Sequence, residues 1–247
     1  MSILRSLYIR ISRARFRKKF KPLATKKKGN YLVSLPADEQ RFAQTLTFLD
    51  GLKRMGTAVL LSPRQLEPIC TRLKTKAFEI LYYEKSAELF SKGFKKMKAE
   101  LSERHFHAII ELNEPANLSL PYLVPAEMRV CFYADGAFPY YNLMIKGSIV
   151  ALCEFFNIGA THPKKLFHFS VRQYNKLINR LEKQKPVLLV NSDRDVAWEG
   201  GKIIVGKTIP ASSPELYEVL YFCDAYYGNH DMLFEFAKVF EKRVLAA

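Results

Sequence analysis

Gly228, Asn229, His230 and Asp231 stand together between a short apolar run, "AYYG", and a helical pattern that starts at Met232. A strand-to-helix turn sets the free N–H groups of a helix N-terminus at the carboxyl end of a strand. α/β proteins bind phosphates and nucleotides at such places, so these four residues form a candidate donor- or anion-binding turn. The same residue types also serve an ordinary helix, because Asn or Asp at the N-cap accepts from the N–H groups of the first turn. Asp38 poses the same choice at the mouth of the first apolar run. It suits a general base for a hydroxyl nucleophile, and equally an acid favoured by the positive end of a helix dipole. His105 and His107 in "HFH" fall on one side of a strand, but a metal needs a third ligand and none has a recognisable spacing, so no metal is assigned. "NSDRD" (191–195) offers two carboxylates where a ribose would bind, in residues that are also the common turn formers.

The motifs that are missing narrow the chemistry. The turn after the first apolar run reads "SLPADEQ", without the glycines that let a backbone approach a pyrophosphate, which argues against NAD or FAD. No phosphate-binding G-x-x-x-x-G-K-[ST], no G-x-S-x-G and no kinase signature occurs, and no cofactor is expected.

For the candidate residues to act, strands and helices must bring them to strand ends. "YLVSL" (31–35) reads as a buried strand, and 38–54 repeats Phe42, Leu46, Leu49 and Leu52 at helical spacing. "TAVLL" (57–61) is a second strand, followed by a helix over 63–74. "FEILYY" (78–83) is a third strand and the basic "SKGFKKMKAELSER" (91–104) a solvated helix. "FHAIIEL" (106–112) and "MRVCFYA" (128–134) complete five strands, with a short helix between them. Helical stretches at 148–159 and 170–183 lead to a region of about 60 residues, again β/α in rhythm: "PVLLV", "GKIIVG", a helix over 213–223, "AYYG", a terminal helix and "RVLA". Strands alternating with helices predict a parallel sheet covered on both faces. The expected fold class is therefore α/β, a Rossmann-like domain followed by a smaller second β/α region. The expected divisions are 1–29, 30–147, 148–185 and 186–247.

The charge is concentrated at one end. The 247 residues carry a net charge of +15, yet Met1 to Gly29 hold eleven Lys or Arg and no acid, the first acid being Asp38. In "MSILRSLYIRISRARFRKKF" the apolar Ile3, Leu4, Leu7, Tyr8 and Ile11 recur at three and four, with Arg5, Arg10, Arg13 and Arg17 mostly off that stripe and Lys18 and Lys19 following. Such a basic amphipathic helix has three uses. It can lie on an anionic membrane, pack its stripe on the body of the protein or a partner, or bind nucleic-acid phosphates. "KPLATKKKGN" then reads as a linker. No apolar run is long enough to span a bilayer. The four cysteines match no paired-ligand spacing and each sits in an apolar run, as reduced core residues of an intracellular protein do. The location expected from these features is cytoplasmic, peripheral on the inner membrane.

Three stretches resemble the heptosyltransferase-like (ADP-heptose:lipopolysaccharide) glycosyltransferases. In "SSPELYEVLYFCDAYYGNHDMLFEFAKVFEKRVLA", Asp224, Gly228 and Ala237 match that family's Ala-Asp, Gly and Asp-Ser/Thr-Gly-x-x-His-x-Ala pattern. His230, Asp231, Met232 and Glu235 stand where the family has Asp, Ser or Thr, Gly and His. "LPADEQRFAQTLTFLDGLKRMGTAVLLSP" is similar to the family's opening, with Ala37-Asp38 at its Gly-Asp, whose Asp is the presumed base. "HFHAIIELNEPANLSLPYLVPAEMRVCFY" is similar to its D-x-x-I-D-L strand and the helix after it. The resemblance implies a two-Rossmann glycosyltransferase in which Asp38 deprotonates an acceptor hydroxyl. The 228–231 turn would help hold the diphosphate of a nucleotide sugar. Because the polar positions differ, a second reading stays open: a membrane-surface binding or scaffold protein that keeps the fold without the chemistry. The sequence leaves the oligomeric state undetermined.

Overall fold

The computed structural model describes residues 3–17, 28–73, 75–83, 89–194 and 196–246. The chain forms two compact units: Met1–Ala37 with Thr47–Glu67 and Thr75–Thr161, and Asp38–Leu46 with Pro68–Lys74 and His162–Ala247.

The first unit is built on six parallel strands: β1 (Gly29–Ser34), β2 (Gly56–Pro63), β3 (Phe78–Tyr83), β4 (Ala108–Glu111), β5 (Met128–Phe132) and β6 (Leu143–Ile145). Their spatial order is β3-β2-β1-β4-β5-β6. The chain moves outward one way from β1 to β3 and then returns to the other side of β1, so the strand order reverses between β1 and β4. Strands of Val, Ile and Leu suit this arrangement because a parallel sheet is covered on both faces, and β4 and β5 are buried throughout. Alternate residues of β1 serve opposite faces. Tyr31 meets Phe156, whose ring also lies 5.5 Å from Phe48, while Leu32 joins a core with Ile109, Phe94 and Leu101. The helices follow the expected periodicities: α3 (Glu39–Met55), α5 (Lys92–Leu101) and α6 (Ile149–Phe155). In α5, Ser91 accepts from Phe94 N at 3.0 Å, and Phe94, Met97 and Leu101 are buried at a spacing of three and four, leaving the lysines to water. The chain can pass from α3 to β2 only through glycine. Gly56 has φ +156° and a Cβ there would lie 1.9 Å from Gly29 O.

Two expectations change. The helix over 63–74 is a 3₁₀ turn, Arg64–Leu66, and one turn of α4 (Glu67–Cys70). Leu73 then leaves helical geometry to bridge Phe167 in antiparallel fashion. β6 is a strand that no sequence pattern predicts. Three residues are too few to establish an alternation, and pairing with β5 makes them a strand.

The N-terminal helix forms as α1 (Ile3–Ile11), followed by the short α2 (Arg13–Arg17). It attaches to the first unit by the side opposite its apolar stripe. Ile9 and Phe16 are buried, Tyr140 OH donates to Ile9 O, and the Phe16 ring lies 4.9 Å from that of Tyr122. Of the expected stripe, Tyr8 meets the Tyr122 ring at 5.7 Å, while Ile3, Leu4, Leu7 and Ile11 remain exposed and do not pack on the body. Residues 18–27, which include Lys18, Lys19 and most of the expected linker, lie outside the described residues.

The second unit has four parallel strands, β7 (Val187–Asn191), β8 (Gly201–Ile204), β9 (Ala225–Gly228) and β10 (Arg243–Ala246), in the order β10-β9-β7-β8. Its helices are α7 (Val171–Arg180), α8 (Glu215–Phe222) and α9 (Met232–Val239). An aromatic cluster forms in this unit: Phe236 meets Phe42 and Tyr217, and Phe240 meets Phe167, Phe169 and Tyr221. Edge-to-face packing of large rings gives such a small unit a substantial core.

Candidate functional site

In the first unit the polar groups converge where the strand order reverses. β1 ends at Ser34 and β4 at Glu111, paired side by side in the sheet. Glu111 is 1% exposed. Its Oε1 accepts from Asn113 N at 2.9 Å and from Asn113 Nδ2 at 2.7 Å, and its Oε2 accepts from Asn117 N at 3.3 Å. The Asn113 amide ties the two strand ends together. Nδ2 reaches Ser34 Oγ at 3.1 Å and Leu35 O at 3.0 Å, and Oδ1 accepts from Ala37 N at 2.9 Å. Burial pushes the Glu111 carboxyl up to about 7, against the opposing pull of the donors from Asn113, Ser34 and Asn117. Nearby Tyr83, Cys131 and Tyr141 are also raised, first by burial and then by the Glu111 charge, with the Cys131 thiol pushed up to about 12.

Over this edge lies a cavity of about 500 Å³, walled by Ala37, Gln65, Tyr83, Asn113 and Asn117, with Arg5 and Ile9 of α1 on one side. Arg5 donates to Ser119 Oγ at 3.1 Å, which fastens α1 to the cavity wall. Gln65 Nε2 donates to Ala37 O. An open crevice beyond the carboxyl ends of parallel strands, where their order reverses, is where sheets of this kind bind ligands. Glu111, Asn113 and Asn117 were not among the expected site residues. The available signal was a Glu closing the apolar "AIIEL", followed by two asparagines in "NEPAN". An acid on a strand that is otherwise wholly apolar must find partners in its own loop.

Asp38 follows Ala37 and is exposed. Its Oδ1 accepts from Arg41 N at 2.7 Å, so it caps the first turn of α3. His105 and His107 stand before β4, at the end of the strand opposite Glu111. Among the described residues no group of three His, Cys, Asp or Glu is placed to hold a metal ion.

In the second unit, the 228–231 turn closes on itself. Gly228 pairs with Asn191 in the sheet, and a Cβ on it would lie 2.6 Å from Tyr226 OH and 2.7 Å from Asn191 O, which leaves room only for glycine. Asp231 is the N-cap of α9. It accepts from Phe234 N at 3.0 Å, from Tyr226 OH at 3.0 Å and from Asn191 Nδ2. Asn229 and His230 are exposed, and the His230 ring lies 4.0 Å from that of Phe234, tilted by 60°. Glu235 adds a second carboxylate to the first turn and pairs with Lys238. The helix end therefore already holds negative charge. Asp224 lies at the opposite edge of the sheet, where its Oδ2 accepts from Val187 N at 2.7 Å. In "NSDRD", Ser192 Oγ accepts from Arg194 N at 3.2 Å, a turn contact, and Asp195 is outside the described residues.

Of the basic residues singled out at the N-terminus, Arg5 points to the cavity and Arg10 and Arg13 border a groove of about 520 Å³ beside α1. Arg13 donates to Phe138 O at 3.3 Å. Arg17 ends α2, and only its backbone is described. All four cysteines are buried.

No family model matches this sequence, and no curated protein matches it. Solved structures do. The glycosyl transferase family 9 protein from Veillonella parvula superposes with a TM-score of 0.66 over 92% of this chain and 83% of its own, at 12% identity. The E. coli ADP-heptose lipopolysaccharide heptosyltransferase II gives 0.61 over 88% and 84%, at 10% identity. The E. coli heptosyltransferase WaaC with ADP-2-deoxy-2-fluoro heptose gives 0.53 over 88% of each chain, at 12% identity. The protein thus carries the fold of the family 9 glycosyltransferases and the ADP-heptose heptosyltransferases, the likeness to which its sequence motifs point.

Proposed function

We propose that this protein is a divergent glycosyltransferase that works at an anionic membrane surface, moving a sugar from a nucleotide donor to a lipid-linked or saccharide acceptor. The observation that carries this reading is the cavity at the reversal point of the six-stranded sheet, in a fold shared over nine tenths of the chain with sugar transferases. The acceptor would enter that cavity. Asp38, next to the wall residue Ala37, would take the proton of the attacking hydroxyl through a carboxylate that also caps α3. Asn113 and Asn117 would present amides to sugar hydroxyls, while Glu111 beneath them sets the shape of the wall. Asn229 and His230, the exposed members of the second turn, would meet the donor diphosphate, together with N–H groups of α9.

One feature supports a non-catalytic binding protein instead. Asp231 and Glu235 occupy the first turn of α9, and carboxylates beside a diphosphate repel it. Calorimetric titration with ADP, UDP, GDP and CMP separates the two. Micromolar binding of one nucleotide, weakened by Asn229→Ala or His230→Ala, supports the transferase. Heatless titrations of a folded protein with all four would leave the binding protein as the better reading.

A further inference from the structure

We propose that the outward face of α1 is a docking surface for an anionic bilayer, with headgroup phosphates received by Arg10 and Arg13 in the groove beside it. This rests on the membrane part of the function proposed above and is independent of sugar transfer. Ile3, Leu4, Leu7 and Ile11 are 86%, 72%, 52% and 71% exposed and lie on one side of the helix, away from the buried Ile9. A soluble protein normally turns such a stripe inward, so four large aliphatic side chains left in a row mark a contact surface. Phe90, 54% exposed with its ring 5.1 Å from that of Tyr8, widens the patch.

The helix is held ready for contact. A nine-residue helix is marginal alone in water, but here Ile9 O is held by Tyr140, Ser12 Oγ meets Tyr122 OH, and Phe16 packs beneath the Arg129 guanidinium at 5.4 Å. Docking would therefore require little further ordering of the backbone. Charge selects the occupant. No acid occurs before Asp38, while Arg10 and Arg13 are exposed and border a groove of about 520 Å³ along α1. Aliphatic side chains flanked by arginines match the acyl boundary and the phosphates of an anionic leaflet. A nucleic acid would use the arginines and leave the aliphatic stripe without a partner.

The test is sedimentation of the full chain with phosphatidylcholine vesicles, with or without about one third phosphatidylserine. The expected result is binding to the anionic vesicles that weakens with salt. Leu7→Glu combined with Ile11→Glu should lower the partition coefficient more than about tenfold. Arg10→Ala combined with Arg13→Ala should lower it at least about fivefold, on anionic vesicles only. All four positions are exposed, and thermal melts of the variants matching the wild type show that the fold is kept. Vesicle binding unchanged by both pairs would overturn the assignment of this face but leave membrane attachment standing. Absence of vesicle binding would overturn both, and RNA retention sensitive only to the arginine pair would then assign the groove to nucleic acid. Self-association abolished by Leu7→Glu, without vesicle binding, would assign the stripe to a second copy. Nucleotide titration of the same variants keeps the transferase reading separate, because these residues lie apart from the donor turn in the chain.

Discussion

Replacing Glu111 with glutamine removes a buried charge while keeping the shape of the side chain. In the folded protein the Glu111 carboxyl is raised to about 7 from its ordinary 4.5, chiefly because burial penalises the charged form. A raised acid favours the folded state only while it is protonated. Its contribution is fully present below 4.5 and disappears as the pH climbs through about 7. That gap corresponds to about 3 kcal/mol of stability lost by the wild type between the two ends of the window. Glutamine does not titrate, so its stability is free of this dependence. It presents an NH₂ group to a site where Asn113 and Asn117 already donate, at a pH-independent cost of about 1–3 kcal/mol. The variant should therefore be less stable than the wild type near pH 4.5 and equal or more stable above pH 8. Urea unfolding of both proteins across that range, followed by circular dichroism, reads the difference, and other titrating groups cancel in the comparison. Parallel stability curves, differing by a constant within about 1 kcal/mol, would refute the account of Glu111 as a buried acid strained by desolvation.

Asn113→Ala removes the amide that joins Ser34, Leu35, Ala37 and Glu111, and should cost about 2–4 kcal/mol, measured by urea unfolding at neutral pH. Asp231→Ala should cost about 1–2 kcal/mol through the lost cap of α9, whereas Asp231→Asn keeps the cap and lowers the negative charge at that helix end. If the donor turn binds diphosphates, the Asn variant binds ADP more tightly in calorimetry, and weaker binding would count against that role. Cys70, Cys131, Cys153 and Cys223 should resist a thiol reagent at pH 8 until urea unfolds the chain, because all are buried and Cys131 and Cys223 are pushed up to about 12. Rapid labelling of the native protein would contradict their burial.

Much of the first site was hidden in the sequence for a definite reason. Asp38 is visible because it precedes a periodic helix, and Asp231 because it follows a short strand, so both are local signals. Asn113 acts on Ser34, Leu35 and Ala37, which are nearly eighty positions away along the chain. Only the parallel pairing of β1 with β4 brings them together. The cavity likewise needs Arg5, Gln65, Tyr83 and Asn117 from four separate segments.

The sequence by itself determined the α/β class, most of the strands and helices, and the basic character of the first helix, because each follows from a period, a cap or a charge count within a short window. Only the tertiary structure decided the strand order, the burial of Glu111 and the closed hydrogen bonding of Asp231. It also decided which side of α1 faces outward. The stripe of Ile3, Leu4, Leu7 and Ile11 is legible from spacing alone, but spacing cannot say whether an apolar face is covered. That depends on what the rest of the chain leaves beside it. Here Tyr122 and Tyr140 take the opposite side, through Ser12, Ile9 and Phe16.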